Sequence, residues 1–157
     1  MDTNTAIHAE SLFIGGEWRP PSSSSRIEVR SASTEEIIGS VPEAHEADVD
    51  AAVAAARRAF DAPDGWSHWE PSDRADALDR LADELEARSE EIARAVSAQN
   101  GMPISIALQL EAGFPVAVVR YYASLARTAT FEESHPHMLG GTTTVRREPI
   151  GVVGAIA

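Results

Sequence analysis

The sequence contains no cysteine and no lysine, and both absences limit the chemistry open to its 157 residues. Without cysteine there is no thiolate to act as a nucleophile or metal ligand, and no disulfide can form. Without lysine there is no side-chain amine for a Schiff base. All 13 cationic side chains are arginines, and the formal net charge is -12. This excess of negative charge argues against binding to nucleic acid or to anionic membranes.

Long hydrophobic runs are also missing. No apolar run reaches the length of about 18 residues needed to span a bilayer. The start of the sequence, Met1–Thr5, lacks the basic region and hydrophobic segment of a signal peptide. We therefore expect a cytoplasmic protein without a membrane partner. The length and the hydrophobic content of 43% suit one ordinary domain or part of a larger one.

Short strands are predicted in the first forty residues. Gly15 and Gly16 interrupt the segment 12–19, and paired glycines supply the positive φ angles of a tight hairpin. Segments 27–30 and 37–41 predict a second pair of strands. Together these strands predict a small β-meander.

From Asp48 onward the apolar period becomes that of a helix. A first helix, ending near Asp61, would place these residues on one face: Val49, Val53, Ala56 and Phe60. A second, with Ser72 as its N-cap, would bury a leucine stripe made of Leu78, Leu81 and Leu85. A third helix stops at Gly101. Segment 104–130 is a further helical stretch that Gly113 and Pro115 are expected to break or kink.

The end of the sequence is strongly apolar. A polar loop is expected over 131–141, followed by two strands hinged at Glu148 and Pro149. Residues 150–157 are all glycine, alanine, valine or isoleucine. This composition is typical of a strand covered on both faces, as in a parallel sheet.

Three clusters could carry chemistry, and for each a structural role is favoured. His135 and His137 lie close to Glu132 and Glu133, and all four are possible metal ligands, but a solvated loop explains them as well. The carboxylates of the second helix, which include Asp79, Asp83 and Glu86, are interpreted as a solvated face. The glycines at 151 and 154 lack the spacing of a phosphate-binding loop. The residues by themselves therefore reveal no catalytic constellation.

Several ordered segments together resemble the amino-terminal part of the NAD(P)-dependent aldehyde dehydrogenase superfamily. Trp69 precedes Arg74 as a tryptophan precedes an arginine in that family, and Met102 replaces the lysine of its Gly-Lys-Pro turn. The segment 147–156 resembles the stretch that leads into the family's Pro-Trp-Asn motif. The segments that carry the resemblance are 12–18, 29–34, 48–60, 100–103, 120–123 and 147–156.

The resemblance implies a fold and a division of the chain. The fold class is α/β: a short β-meander, helices, and a β-hairpin leading into an incomplete Rossmann-type domain. Residues 1–139 would be the amino-terminal part of the dinucleotide-binding domain. Residues 140–157 would be an oligomerisation hairpin and the start of the first Rossmann strand, without a catalytic domain.

The resemblance also implies a cofactor and sites. The full-length family uses NAD or NADP, and only Ile156 and Ala157 reach the position where the backbone begins to approach it. No tight cofactor binding is expected from this chain alone. Some members hold a monovalent cation near positions that match Val29, Arg30 and Gln99, where Gln99 replaces the usual carboxylate. The family's reaction needs a cysteine thiolate that attacks the aldehyde, so we expect the chain alone to be inactive.

Two functional hypotheses follow. The first is a truncated aldehyde dehydrogenase, inert alone, whose full-length relative oxidises an aldehyde to a carboxylic acid. The second is a non-catalytic interaction module that uses its terminal hairpin, 142–153, to pair with a full-length subunit or with its own copy. A metal-binding helical protein using His135 and His137 is a third, weaker possibility.

Overall fold

A computed structural model describes residues 7–156, with side chains described from residue 9 onward. Five short strands come first. The β2–β3 hairpin is confirmed: Phe13 pairs with Trp18, and Gly15 and Gly16 have φ angles of 66° and 86°. The strands are β1 (Ile7–His8), β2 (Leu12–Ile14), β3 (Glu17–Arg19), β4 (Arg26–Arg30) and β5 (Ile37–Pro42).

These strands form two sheets rather than one continuous meander. β5 pairs with β4 in the antiparallel sense, as predicted, and also with β1 in the parallel sense. The β2–β3 hairpin forms a separate sheet. It lies against the first helix, where a Cβ at Gly15 would be 3.4 Å from the Ala55 Cβ. Local sequence does not encode this contact with α1, and the hairpin shares no strand pairing with the other described strands.

The helices lie where the sequence predicts them, although the start of the second helix differs from the prediction. The second helix begins at Pro71 with Glu70 at the N-cap, so Ser72 is not the cap; proline is well suited to a first helical position. The third ends at Gly101 in the left-handed conformation, as predicted. The helices are α1 (Glu46–Asp61), a 3₁₀ turn (Trp66–His68), α2 (Pro71–Ala87), α3 (Ser89–Asn100), α4 (Ile104–Ala107) and α5 (Phe114–Thr128).

Between α4 and α5 the chain stays helical. Residues Leu108–Gly113 form a π-helical stretch that joins the two helices. Pro115 then lies in the first turn of α5, where its missing N–H is tolerated. The predicted break at Gly113 and Pro115 is therefore a widened turn within one helical run, 104–128.

The largest helix contact lies between α2 and α5. Its buried positions are small: Ala75 and Ala82 on α2, and Val116 and Ala123 on α5. Each pair is seven residues apart, so each lies on one helical face. The predicted leucine stripe is only partly buried, because Leu78 and Leu85 are half-buried and Leu81 is exposed. Small side chains, mostly alanines, rather than leucines thus form the seam.

A second cluster of buried residues joins α3, α4 and the π-helical stretch through Ala93, Ala107 and Ala112.

The last hairpin differs from the prediction. Residues Glu132–Pro136 form β6, within the segment expected to be a loop, and pair with β7 (Thr142–Arg146). The hairpin therefore runs from 132 to 146 rather than from 142 to 153. Residues 147–156 contain no assigned strand. An apolar segment becomes a strand only when it hydrogen bonds to another strand, and among the described residues none is placed beside it.

Candidate functional site

The apolar terminal segment does not form a dinucleotide site by itself. Ile156 is fully exposed, and Ala157 lies outside the described residues. A Cβ at Gly154 would meet nothing within 4 Å. A pyrophosphate needs backbone N–H groups at a glycine-rich turn and a helix N-terminus, and residues 147–156 provide neither. The described residues therefore do not fit NAD(P) on their own, and the assignment of Ile156 and Ala157 stays a prediction.

The positions predicted for a monovalent cation lie on two neighbouring segments. Val29 and Arg30 flank a register shift in β4, and Arg30 donates hydrogen bonds to Glu28 Oε2 (2.5 Å) and to the Glu35 carbonyl (3.3 Å). Gln99 is exposed in the last turn of α3. A Cβ at Gly101 would lie 3.5 Å from Ser33 Oγ, so the turn after β4 approaches the end of α3. The cation site stays a prediction.

The histidine cluster lies on the last hairpin. His135 Nε2 is 3.6 Å from Glu133 Oε2, and His137 Nδ1 accepts a hydrogen bond from the Leu139 backbone at 3.2 Å. In the part of the chain that the structure describes, no group of three or more histidine, cysteine or acidic side chains is arranged to hold a metal ion. The solvated interpretation is therefore favoured over a metal site.

A groove separates the end of α1 from the terminal segment. Its larger cavity measures about 520 Å³, and an adjoining cavity of about 290 Å³ continues towards Val152 and Val153. Arg74 stacks over the Phe131 ring at 5.6 Å and donates a hydrogen bond to the Trp69 carbonyl. The tryptophan and arginine singled out in the sequence are thus in contact. The lining of the larger cavity is half apolar and half made of polar, charged or glycine residues: Phe60, Trp66, Pro71, Phe131 and Pro149, with Ser67, Arg74, Arg147, Glu148 and Gly151.

Asp48 is the buried charged residue within the described chain, with 8% of its surface exposed. It joins the serine-rich loop to the start of α1. Its carboxylate accepts hydrogen bonds from the Ser22 backbone N–H (2.9 Å), the Ser22 hydroxyl (2.7 Å) and the His45 backbone N–H (3.0 Å). The His45 N–H, followed by the Ser22 hydroxyl, holds the pKa of Asp48 below its ordinary value of 3.8.

The substitution Asp48→Asn is expected to destabilise the chain and to change its pH dependence. A lowered folded-state pKa means that the carboxylate adds stability above pH 3.8, and that this stability is lost as the pH falls through the folded pKa. The wild-type chain should therefore lose more of its free energy of unfolding between pH 7 and acid than Asp48→Asn. Urea unfolding across that range measures the difference. Asp50→Asn, exposed on the same helix, is the matched control, and parallel pH profiles for wild type and Asp48→Asn would contradict the prediction.

The acidic face of α2 is paired with arginines of α5. Arg120 donates hydrogen bonds to Asp83 (2.9 Å) and Glu86 (2.7 Å), and Arg127 to Asp76 (2.5 Å) and Asp79 (2.8 Å). Higher numbers on α5 meet lower numbers on α2, so the two helices run antiparallel. The carboxylates raise the pKa of both guanidinium groups, Glu86 most for Arg120 and Asp79 most for Arg127. The sequence predicted a solvated face for these carboxylates but not their arginine partners. Arg120 and Arg127 are seven residues apart and therefore share one face of α5, and this spacing could have indicated the pairing.

The helical run 104–128 is long enough and apolar enough to cross a bilayer, judged by length and composition alone. This corrects the expectation that no apolar segment reaches spanning length, and the charges of Glu111, Arg120 and Arg127 explain why the segment is not recognised as one run in the sequence. A core helix of a larger protein meets the same criterion. Only 17% of its most apolar window is buried here. The run therefore presents an apolar surface that no described element covers fully.

Comparison with known proteins places this fold among dehydrogenases that act on aldehydes. The profile described as "Aldehyde dehydrogenase family" matches residues 18–157. The chain therefore belongs to the aldehyde dehydrogenase family, and the amino-terminal resemblance drawn from its sequence is confirmed.

The individual relatives agree with this assignment. The sequence is 49% identical over 150 residues to geranial dehydrogenase of Castellaniella defragrans and 39% identical over 146 residues to 3-succinoylsemialdehyde-pyridine dehydrogenase of a Pseudomonas species. The fold matches the crystal structure of a Mycobacterium tuberculosis aldehyde dehydrogenase complexed with NAD+, with a TM-score of 0.84 and 37% identity.

The coverage of these matches is unequal. They extend over 96%, 92% and 92% of this chain but only 31%, 29% and 30% of the respective relatives. The chain thus spans about 30% of the length of the proteins it matches.

Proposed function

We propose that this chain forms the amino-terminal third of an NAD(P)-dependent aldehyde dehydrogenase and that these 157 residues alone do not oxidise aldehydes. The observation that carries the proposal is the combination of a family match over residues 18–157 with the complete absence of cysteine. The family's reaction begins with a thiolate attacking the aldehyde carbonyl. None of the 157 residues can supply that thiolate.

The cofactor geometry supports the same conclusion. Residues 149–156 form an apolar segment that is not part of any described strand, and they offer no helix N-terminus for a pyrophosphate. In the complete enzyme this segment would become the first strand of the dinucleotide-binding sheet. Its Gly, Ala, Val and Ile composition suits a strand covered on both faces.

An alternative role is favoured by one feature, the exposed last hairpin. Met138 and Leu139 at its tip are 95% and 89% exposed, and the described side chains of β7 are all exposed. A strand with free backbone groups can extend the sheet of another subunit. The chain would then be a non-catalytic module that pairs with its own copy or with a longer aldehyde dehydrogenase.

The proposed function is tested by assaying the purified chain for NAD and NADP reduction with geranial, because geranial dehydrogenase is 49% identical to it. We expect no turnover above the blank, while complete geranial dehydrogenase under the same conditions reduces the cofactor. Turnover that co-purifies with the 157-residue chain and survives repeated chromatography would contradict the proposal. Capture of complete geranial dehydrogenase by the inactive chain, abolished by Met138→Gln with Leu139→Gln, would favour the alternative.

A further inference from the structure

Helix α5 has two apolar faces, and only one of them is covered. Val116 and Ala123 face α2 and are buried. At about 100° per residue, Phe114, Tyr121 and Leu125 fall on the opposite side of the helix. They are 61%, 63% and 40% exposed. We call these three residues the open face of α5. An apolar helix face that no other element covers is normally interior, so the open face indicates a missing partner.

The comparisons indicate the nature of that partner. The Mycobacterium tuberculosis aldehyde dehydrogenase matches 92% of this chain with a TM-score of 0.84, yet 70% of that enzyme has no counterpart here. The described fold is thus the one found inside a much longer protein. Exposed apolar residues in such a fold are the natural contact surface for the remaining part.

We propose that the open face of α5 binds the remaining two thirds of an aldehyde dehydrogenase, and that it does so in trans when that part is supplied as a separate polypeptide. This inference rests on the proposed function and adds to it the surface and the partner. A protein partner is favoured over a bilayer by the opposite side of the same helix. There Arg120 and Arg127 are fixed against four carboxylates of α2, and this charged pair of helices would have to enter the membrane together.

The chemistry of the open face suits a protein interface. Aromatic residues dominate the binding energy of protein interfaces because they bury a large area at a small cost in side-chain entropy. Tyr121 adds a hydroxyl that can hydrogen bond at the edge of the contact. Tyr121 and Tyr122 pack edge to face, with ring centroids 5.5 Å apart, so Tyr121 is already supported before a partner binds.

The experiment combines this chain with the part of geranial dehydrogenase that the chain does not match, by co-expression of the two polypeptides. The wild-type chain is expected to co-purify with it in a 1:1 complex and to restore reduction of NAD(P) by geranial. The triple substitution Phe114→Gln, Tyr121→Gln, Leu125→Gln should weaken the complex at least about tenfold, as expected when anchors at the centre of an interface are removed. The matched control is Val49→Gln with Val53→Gln, which removes two exposed apolar side chains from α1 and should preserve the complex.

Folding and binding defects are separated by two further measurements. Glutamine keeps helix propensity high, so far-ultraviolet circular dichroism of the triple variant should match wild type. The single substitution Tyr121→Gln, at the most exposed of the three positions, should show a smaller loss in the same direction. A folded triple variant that complements as well as wild type would overturn the assignment of the open face and leave the proposed function intact.

Two other results would also overturn the inference. One is that the wild-type chain and the remaining part never co-purify when they are co-expressed, whether or not each is soluble. The other is that the chain floats with vesicles of phosphatidylcholine and phosphatidylglycerol and loses this behaviour in the triple variant, which would identify a bilayer as the partner. The proposed function is judged separately, by the activity of the chain alone.

Discussion

The isolated 157-residue chain is expected to run larger than its 16.8 kDa in size-exclusion chromatography with light scattering, with a mass that rises with loading concentration. Its exposed apolar residues are too numerous for a stable monomer. They include the open face of α5, the hairpin tip, and Ile150 and Val153 in the terminal segment. Soluble monomers rarely expose large contiguous apolar patches, and unpaired strand edges promote association further.

Two sets of substitutions introduced above separate the sources of this association. If the chain associates mainly through the open face of α5, the triple substitution Phe114→Gln, Tyr121→Gln, Leu125→Gln should shift the mass distribution towards the monomer. If it associates mainly through the hairpin tip, Met138→Gln with Leu139→Gln should have that effect. A monodisperse 16.8 kDa monomer for the wild-type chain at all loadings would refute the prediction that it associates.

Replacing Ala82 by leucine is expected to cost about 1–3 kcal/mol of unfolding free energy, the usual effect of overpacking a close contact. Ala82 has no exposed surface and lies in the seam between α2 and α5. The larger side chain would push the helices apart. The separation would also strain the pairs that Arg120 makes with Asp83 and Glu86, although exposed ion pairs contribute little each.

Urea unfolding at one fixed protein concentration measures this effect, because association makes stability depend on concentration. Ala87→Leu is the control: it makes the same change at an exposed position on the same helix and should stay within about 0.5 kcal/mol of wild type. Equal stabilities for the two variants would show that the alanine seam does not hold α2 to α5.

Local signals predicted much of the chain correctly. The Gly15–Gly16 pair marked the first hairpin, because only residues that tolerate positive φ form such a turn. Gly101 marked the end of α3 for the same reason. The family followed from several motifs in a fixed order, which chance seldom produces. The glycine signals depend on a few neighbouring residues, and the family signal depends on the order of short motifs along the chain. Neither kind needs a tertiary partner.

Signals that depend on distant partners were missed. β6 was interpreted as a loop because Glu132, Ser134 and His135 carry no apolar alternation, yet pairing with β7 makes it a strand. The parallel contact of β1 with β5 joins segments about 30 residues apart, and no local pattern specifies it. The candidate site shows the same limit, since Ser22 and Asp48 meet across 26 residues.

The sequence by itself determined which chemistry these 157 residues cannot perform and where most of the helices lie. Composition fixes the absence of a thiolate and of a side-chain amine, and the helical period fixes which residues share a face. Only the tertiary structure decided which of those faces is covered. The sequence predicted a helical stretch over 104–130 but not which of its residues would be covered; packing against α2 buries Val116 and Ala123 and leaves Phe114, Tyr121 and Leu125 open. Burial depends on what lies opposite, and that is a property of the assembled fold.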